Sequence, residues 1–364
     1  MIGELYYVTG IPFEGARKVD ILPSDHQAYN LHGHSFFARV RAKFPFTQSS
    51  FSGSEVSELK DVVSQVVKQL DYSFLNDHLT TPTDENLARW VRDRIQIPSL
   101  DVVGIQSTSN QGVDLDENDI AHIWRRFRFE SAHKLPNVPD GHQCGRMHGH
   151  GFEVIIHASQ NIDGQDIGVD FDHIEKLWQP IHSELHMACL NDIPGLQNPT
   201  SEVLASWIWK RLKPQLDELS WITIYETTTA GCHFDGQDYR IWKEFRFESA
   251  LRLMDAPVGD RRRKLHGHSY LSRLHLTAPL DDVMGWTVDY GDVKELFKPA
   301  YKQLDHNYLN EVSGIEDGSI VSILGWMQNQ LIDVLPALDR IDLYETPGCG
   351  AVLSWGGERP ALPV

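Results

Sequence analysis

The tripeptide His-Gly-His occurs three times in this chain, at residues 32–34, 148–150 and 266–268, spaced 116 and then 118 residues apart. That interval is close to one third of the 364 residues and is the length of a domain, whereas solenoid repeats run to ~20–50 residues. The chain is therefore constrained to three similar units, each large enough for its own core. A second landmark keeps the same phase. Ile123-Trp124-Arg125-Arg126-Phe127-Arg128-Phe129-Glu130-Ser131-Ala132 is echoed by Ile241-Trp242-Lys243-Glu244-Phe245-Arg246-Phe247-Glu248-Ser249-Ala250, and faintly by Phe13-Glu14-Gly15-Ala16. Units spanning 1–120, 121–238 and 239–364 follow, the last with a short tail. No long Gly, Ser or Pro linker separates them, so they are expected to pack against one another.

Within unit two, Phe127–Ala132 and Phe152–His157 alternate as strands, while Phe171, Ile174, Leu177, Trp178, Ile181 and Leu185 step by three and four along one helical face. Thr200 is a plausible helix cap, followed by acidic Glu202 and a second apolar face of Leu204, Trp207, Ile208 and Leu212. Trp221–Glu226 and Tyr239–Phe245 read as further strands. The order is ββααββ, an α+β unit with its helices on one side of an antiparallel sheet. Val293, Leu296, Phe297 and Leu304 repeat the first helix in unit three, as Val56, Leu59, Val63, Val66 and Leu70 do in unit one.

Composition bears mainly on what the chain does not bind. With 33 basic and 51 acidic residues the formal charge is −18, which opposes general binding to nucleic acid or anionic lipid. A phosphate-bearing ligand must then be small and held in a locally basic pocket. No apolar run approaches the ~18 residues of a membrane span, and Met1–Tyr7 lacks the pattern of a secretory signal. Four scattered cysteines suit a reducing cytoplasm.

The chemistry concentrates in unit two. His148 and His150 lie two apart at the start of a strand, so both imidazoles emerge from one face, with Gly149 leaving room for close approach. A hairpin would bring His133 opposite them. Three histidines converging from adjacent strands make an open tetrahedral zinc site with one position left for water or substrate. Cys144 could be a fourth ligand, an inert thiol or a reactive thiolate whose pKa a nearby cation, zinc or Arg146, would lower.

His133, Cys144-Gly145-Arg146-Met147-His148-Gly149-His150, Asn191–Leu196, Asn198–Glu202 and Tyr225-Glu226-Thr227 closely resemble the 6-carboxytetrahydropterin synthases of the queuosine pathway, a branch of the 6-pyruvoyltetrahydropterin synthase family. The Cys-x-x-x-His-Gly-His spacing points to that branch. The match spans unit two, and units one and three resemble diverged copies. The resemblance implies a tunnelling fold (T-fold): three ββααββ units close a twelve-stranded antiparallel barrel with helices outside, and two barrels stack. It also implies zinc on His133, His148 and His150, Cys144 as catalytic thiol, Glu226 as the anchor for the pterin, and an Asp-His pair for proton transfer.

Unit two departs from the pattern at that pair, reading Leu185-His186-Met187 where the family has Leu-Asp-His. Unit three keeps Asp305-His306 but has Leu251 for the first zinc histidine and Arg262 at the Cys position. Unit one has Arg17, Ala28 and Asp71-Tyr72 at these places. The complementary losses imply one composite site, with zinc and Cys144 from unit two and Asp305 and His306 from unit three. By resemblance the substrate is 7,8-dihydroneopterin triphosphate and the product 6-carboxytetrahydropterin, with related pterin conversions, or a non-catalytic zinc- or pterin-binding role, as alternatives. A homodimer of pseudo-trimers is the expected assembly. The run Arg261-Arg262-Arg263-Lys264 reads either as a triphosphate cradle or as a solvated charge cluster.

Overall fold

The computed structural model describes residues 2–43, 49–97, 99–160 and 168–356; the tail expected after unit three falls at 357–364, outside the described residues. Unit one runs β1 (Glu4–Arg17), β2 (His32–Ala42), α1 (Glu55–Val67), β3 (Ser73–Phe74), α2 (Asp84–Arg94), β4 (Leu100–Thr108) and β5 (Gln111–Leu115). Unit two follows as β6 (Ala121–His133), β7 (His148–Gln160), α3 (Phe171–Leu185), α4 (Ser201–Leu212), β8 (Leu219–Thr227) and β9 (Ala230–Phe234). Unit three is β10 (Tyr239–Leu251), β11 (His266–Thr277), α5 (Tyr290–Leu304), β12 (Asn307–Tyr308), α6 (Ile320–Leu331), β13 (Leu338–Thr346) and β14 (Cys349–Ser354).

Twelve antiparallel strands close on themselves. Strand β5 pairs with β6 from Gln111↔Arg125 to Leu115↔Ala121, β9 pairs with β10, and β14 returns to β1 from Glu4↔Ser354 to Val8↔Gly350. The two-residue strands β3 and β12 lie off this ring, parallel to β1 and β10. The α+β barrel implied by the resemblance is the fold observed.

Alternation sends one set of side chains under the helices and the other into the lumen. Ile123, Phe129, Val154, Ile156, Ile224 and Ile241 join the helix faces in one continuous core that includes Ile174, Trp178, Ile181, Leu185, Leu204 and Ile208. Their strand neighbours Trp124, Ile155, Tyr225 and Trp242 form a separate buried cluster. Thr200 caps α4 as expected, its hydroxyl accepting from Val203 N at 3.2 Å, an interaction worth ~1 kcal/mol.

One strand assignment changes. The fourth strand of unit two is Ala230–Phe234, and Tyr239–Leu251 opens unit three. Gly231 masks the strand in the sequence, yet the packing requires it: a Cβ there would stand 2.2 Å from the Ile224 carbonyl oxygen and 2.3 Å from the Trp242 ring.

The lumen is charged but internally matched. Arg39–Asp114 (3.1 Å), Arg126–Glu153 (3.4 Å), Arg273–Glu244 (3.1 Å), Arg340–Asp342 (2.6 Å) and Arg41–Asp101 pair within it. Thr223 Oγ1 bridges His157 Nε2 (3.1 Å) and His233 Nδ1 (2.7 Å), and His275 Nε2 donates to Asp342 (3.2 Å). Burial holds His157 and His233 well below the usual imidazole range and His275 at about 4, against the pull of Asp342. The folded barrel thus refuses protons that the unfolded chain accepts near ~6.5, so these groups stabilise the fold above that pH and cease to do so as pH falls toward 4. Thermal unfolding should show Tm falling between pH 7 and pH 5, and His275→Gln should flatten the slope. A Tm unchanged over that interval contradicts the assignment.

Candidate functional site

The register between β6 and β7 sets His133 directly opposite His148 and Ser131 opposite His150. The three rings stand 4.5, 5.2 and 4.9 Å apart between centroids for 133–148, 133–150 and 148–150. His133 Nδ1 donates to the Pro199 carbonyl (3.1 Å) and His148 Nδ1 to the Arg146 carbonyl (2.7 Å). Each Nε2 lone pair is thereby turned inward. Among the described residues, His133, His148, His150 and Glu226 are the group whose ligand atoms converge, all within 4.8 Å of one another.

The donor set fits a divalent cation. His133 Nε2 and His150 Nε2 are buried without a hydrogen-bond partner, and Glu226 Oε1 lies 3.8 and 3.5 Å from them. Burial, then the neighbouring His148 ring, lowers His133 to about 4, and burial lowers His150 as well. These two imidazoles are therefore neutral near pH 7, the form that can coordinate a cation.

A cavity of about 470 Å³ opens beside the histidines. Cys144 lines it from the short helical turn Gln143–Gly145, and Glu226 from the end of β8. Burial, followed by the charges of Glu226 and Asp289, raises the Cys144 thiol above its ordinary value. Arg146 is not among the charges that act on the thiol. Burial and the Glu202 charge push Glu226 up to about 7. Glu202 itself is anchored by Ser201 Oγ (3.1 Å) and by Thr287 N (2.9 Å) of unit three.

Unit three does contribute to this cavity, but with residues the sequence reading missed. Trp286, Asp289 and Tyr290 form its far wall, together with Lys243. The segment carrying them is docked on unit two: Asn137 donates to Val283 O, Asn198 to Met284 O (2.6 Å each) and Thr200 to Gly285 O. One signal was available, since Asp289-Tyr290 starts the first helix of unit three just as Asp170-Phe171 does in unit two.

Asp305 and His306 are not among the residues lining this cavity. Asp305 Oδ1 accepts from Glu248 N (3.0 Å) and Oδ2 pairs with His306 Nδ1 (3.0 Å), while the His306 side chain is 77% exposed. The same local bond recurs in the other units, from Glu14 N to Asp71 (2.9 Å) and from Glu130 N to His186 Nδ1 (3.2 Å). In each unit the next residue, Tyr72, Met187 or His306, takes a positive φ of 52–59°. This position therefore has a structural role that is independent of any proton transfer. Arg262 is held by Asp260 and Ser57, and Arg263 by the carbonyls of Met254 and Ala256. Those contacts, away from the cavity, disfavour a triphosphate cradle.

Unit one fills its equivalent site with Arg17. Its guanidinium lies 3.4 Å from His32 Nε2 and 3.3 Å from His34 Nε2, and pairs with Asp84 at 2.6 Å, which Ser107 Oγ also contacts at 2.6 Å. In unit three the buried Leu251 has no lone pair to offer.

The sequence pattern of the 6-pyruvoyl tetrahydropterin synthase family matches residues 12–118, 122–237 and 240–354. A 6-carboxy-5,6,7,8-tetrahydropterin synthase from Synechocystis sp. is 32% identical over 119 residues, which cover 31% of this chain and 91% of that protein. A dihydroneopterin monophosphate aldolase from Pyrococcus furiosus is 38% identical over 84 residues, 23% of this chain and 68% of that protein. The structure of Caenorhabditis elegans 6-pyruvoyl tetrahydropterin synthase aligns at 20% identity and a TM-score of 0.29, over 32% of this chain and 95% of that one.

Elemental analysis of metal-loaded protein should give one divalent ion per chain, and His148→Ala should lower that number. Three ions per chain would contradict the vacancy of units one and three.

Proposed function

The chain belongs to the 6-pyruvoyl tetrahydropterin synthase family, and from that premise we propose that it is a zinc-dependent pterin lyase of the 6-carboxytetrahydropterin synthase kind. It would convert 7,8-dihydroneopterin triphosphate to 6-carboxytetrahydropterin, releasing triphosphate and acetaldehyde, as a step toward queuosine. The observation that carries this reading is the convergence of His133, His148, His150 and Glu226, the last three of which line one cavity with Cys144. The activity named for the Synechocystis relative supports it. The four free cysteines suit the reducing cytoplasm in which we place the protein.

Zinc held by His133, His148 and His150 would supply Lewis acidity toward the side-chain oxygens of the pterin. The remaining work falls to the chain. Glu226, pushed up to about 7 when unpaired, gains charge when the donors of the planar pterin edge hydrogen-bond to it. Cys144 removes a side-chain proton from its place in the cavity wall. His306, oriented through Nδ1 by Asp305, relays protons with its outer nitrogen.

Because His306 stands exposed and the Asp305-His306 pair lies apart from the cavity, we assign the pair to the site of a second chain. Leu31, Met147 and Leu265 are exposed immediately before the three His-Gly-His segments, at the barrel end near which His306 pairs with Glu248. One exposed apolar side chain per unit at that end supports a homodimer stacked end to end.

Turnover of 7,8-dihydroneopterin triphosphate by metal-loaded protein should yield 6-carboxytetrahydropterin and acetaldehyde, and any other product reassigns the reaction. Cys144→Ala should abolish it with metal content unchanged; metal loss would make Cys144 a ligand, and retained activity would remove it from the mechanism. His306→Ala should lower turnover ~10²–10⁴-fold, and His186→Ala much less. Mixing Cys144→Ala chains with His306→Ala chains should restore activity. No restoration in demonstrated mixed dimers would place the whole site within one chain.

A further inference from the structure

We propose that His142 and Asp289 form a positioning couple for Cys144, one that is complete only when unit three is docked on unit two. The proposal rests on the reading of Cys144 as the reactive thiol. His142 Nδ1 accepts the backbone N–H of Cys144 at 3.2 Å, capping the turn that carries the thiol. With Nδ1 accepting, the ring proton sits on Nε2, which stands 3.2 Å from Asp289 Oδ2 and donates to it. The other carboxylate oxygen accepts from Gly291 N at 2.6 Å and caps α5. A continuous chain of bonds thus runs from the amino end of α5 through Asp289 and His142 to the backbone of Cys144, and all three side chains line the cavity. Both ring nitrogens of His142 are engaged, so its contribution is geometric: it sets where Sγ points.

The other unit junctions show what this device does without a thiol. In unit one His26 Nδ1 accepts from Ala28 N (3.1 Å), and Nε2 reaches Asp172 of unit two at 3.1 Å. In unit three Asp260 takes the capping role toward Arg262 N (2.8 Å), and Arg262 crosses to Ser57 of unit one. Each turn latches its unit to the next. Only the latch between units two and three ends on a cysteine, and the unit-one latch is therefore an internal control.

His142→Asn keeps an acceptor for Cys144 N, as Asp260 does in unit three, but its shorter side chain falls short of Asp289. Asp289→Asn keeps the cap on α5 and removes the negative acceptor from His142. In either variant, carboxamidomethylation of Cys144 by iodoacetamide, followed by peptide mass spectrometry, should quicken about fivefold or more as the turn is released. kcat should fall ~10–10²-fold, as expected for a misplaced reacting group, with KM and metal content unchanged. The double variant should be no worse than either single one, the mark of a shared interaction. His26→Asn should leave both rates at wild-type values. The couple is refuted if His142→Asn and Asp289→Asn match wild type, or if His26→Asn reproduces their effects. Should the wild-type protein turn over no pterin, the proposed reaction fails, while the alkylation comparison still decides the couple.

Discussion

The backbone pairs between β1 and β14, Glu4↔Ser354 through Val8↔Gly350, close a ring that the remaining strand contacts only make possible. An open twelve-stranded sheet would leave two rows of unpaired amides and carbonyls and would expose one edge of unit one and one of unit three. Closure removes both edges at once. It also encloses five charge pairs in the lumen, of which Arg340–Asp342 is fully buried, and removing one member of a buried pair costs ~3–5 kcal/mol. The helices are left outside, and the end of one unit is pressed against the start of the next. The cavity beside His133 exists because of that last contact.

Much of this was legible. Domain-scale repetition is plain when a rare tripeptide recurs at nearly equal intervals, and the apolar faces of α3 and α4 follow from three- and four-residue steps because one side of each helix must be dry. The histidine cluster was equally readable, since residues two apart on a strand share a face. What stayed hidden was whatever depends on a partner far away in the chain. Strand β9 carries Gly231, whose absent side chain makes room for Trp242 of the next unit. Asp289 and Trp286 line a cavity whose histidines lie more than a hundred residues earlier, and neither residue type announces that.

The Asp305 position illustrates a subtler difficulty. Asp71 and Asp305 are carboxylates and His186 is an imidazole, yet each accepts a hydrogen bond from the backbone of a glutamate on the neighbouring strand. A side chain that must accept one such bond can be a carboxylate or an imidazole, so the fold tolerates either. The residue type alone cannot separate that duty from proton transfer. Position in three dimensions adds that His306 is exposed and away from the cavity of its own chain.

Arg17 shows another way of meeting the same constraint. Two histidines two residues apart on one face of a strand present their rings side by side. Unit two presents lone pairs that a diffusible ion can satisfy, whereas unit one supplies a guanidinium covalently, with Asp84 as its counter-charge. A guanidinium does not dissociate, cannot be drawn off by a chelator and is present at full occupancy from the moment the chain folds. One third of the barrel is thereby held together at this position whatever the supply of metal.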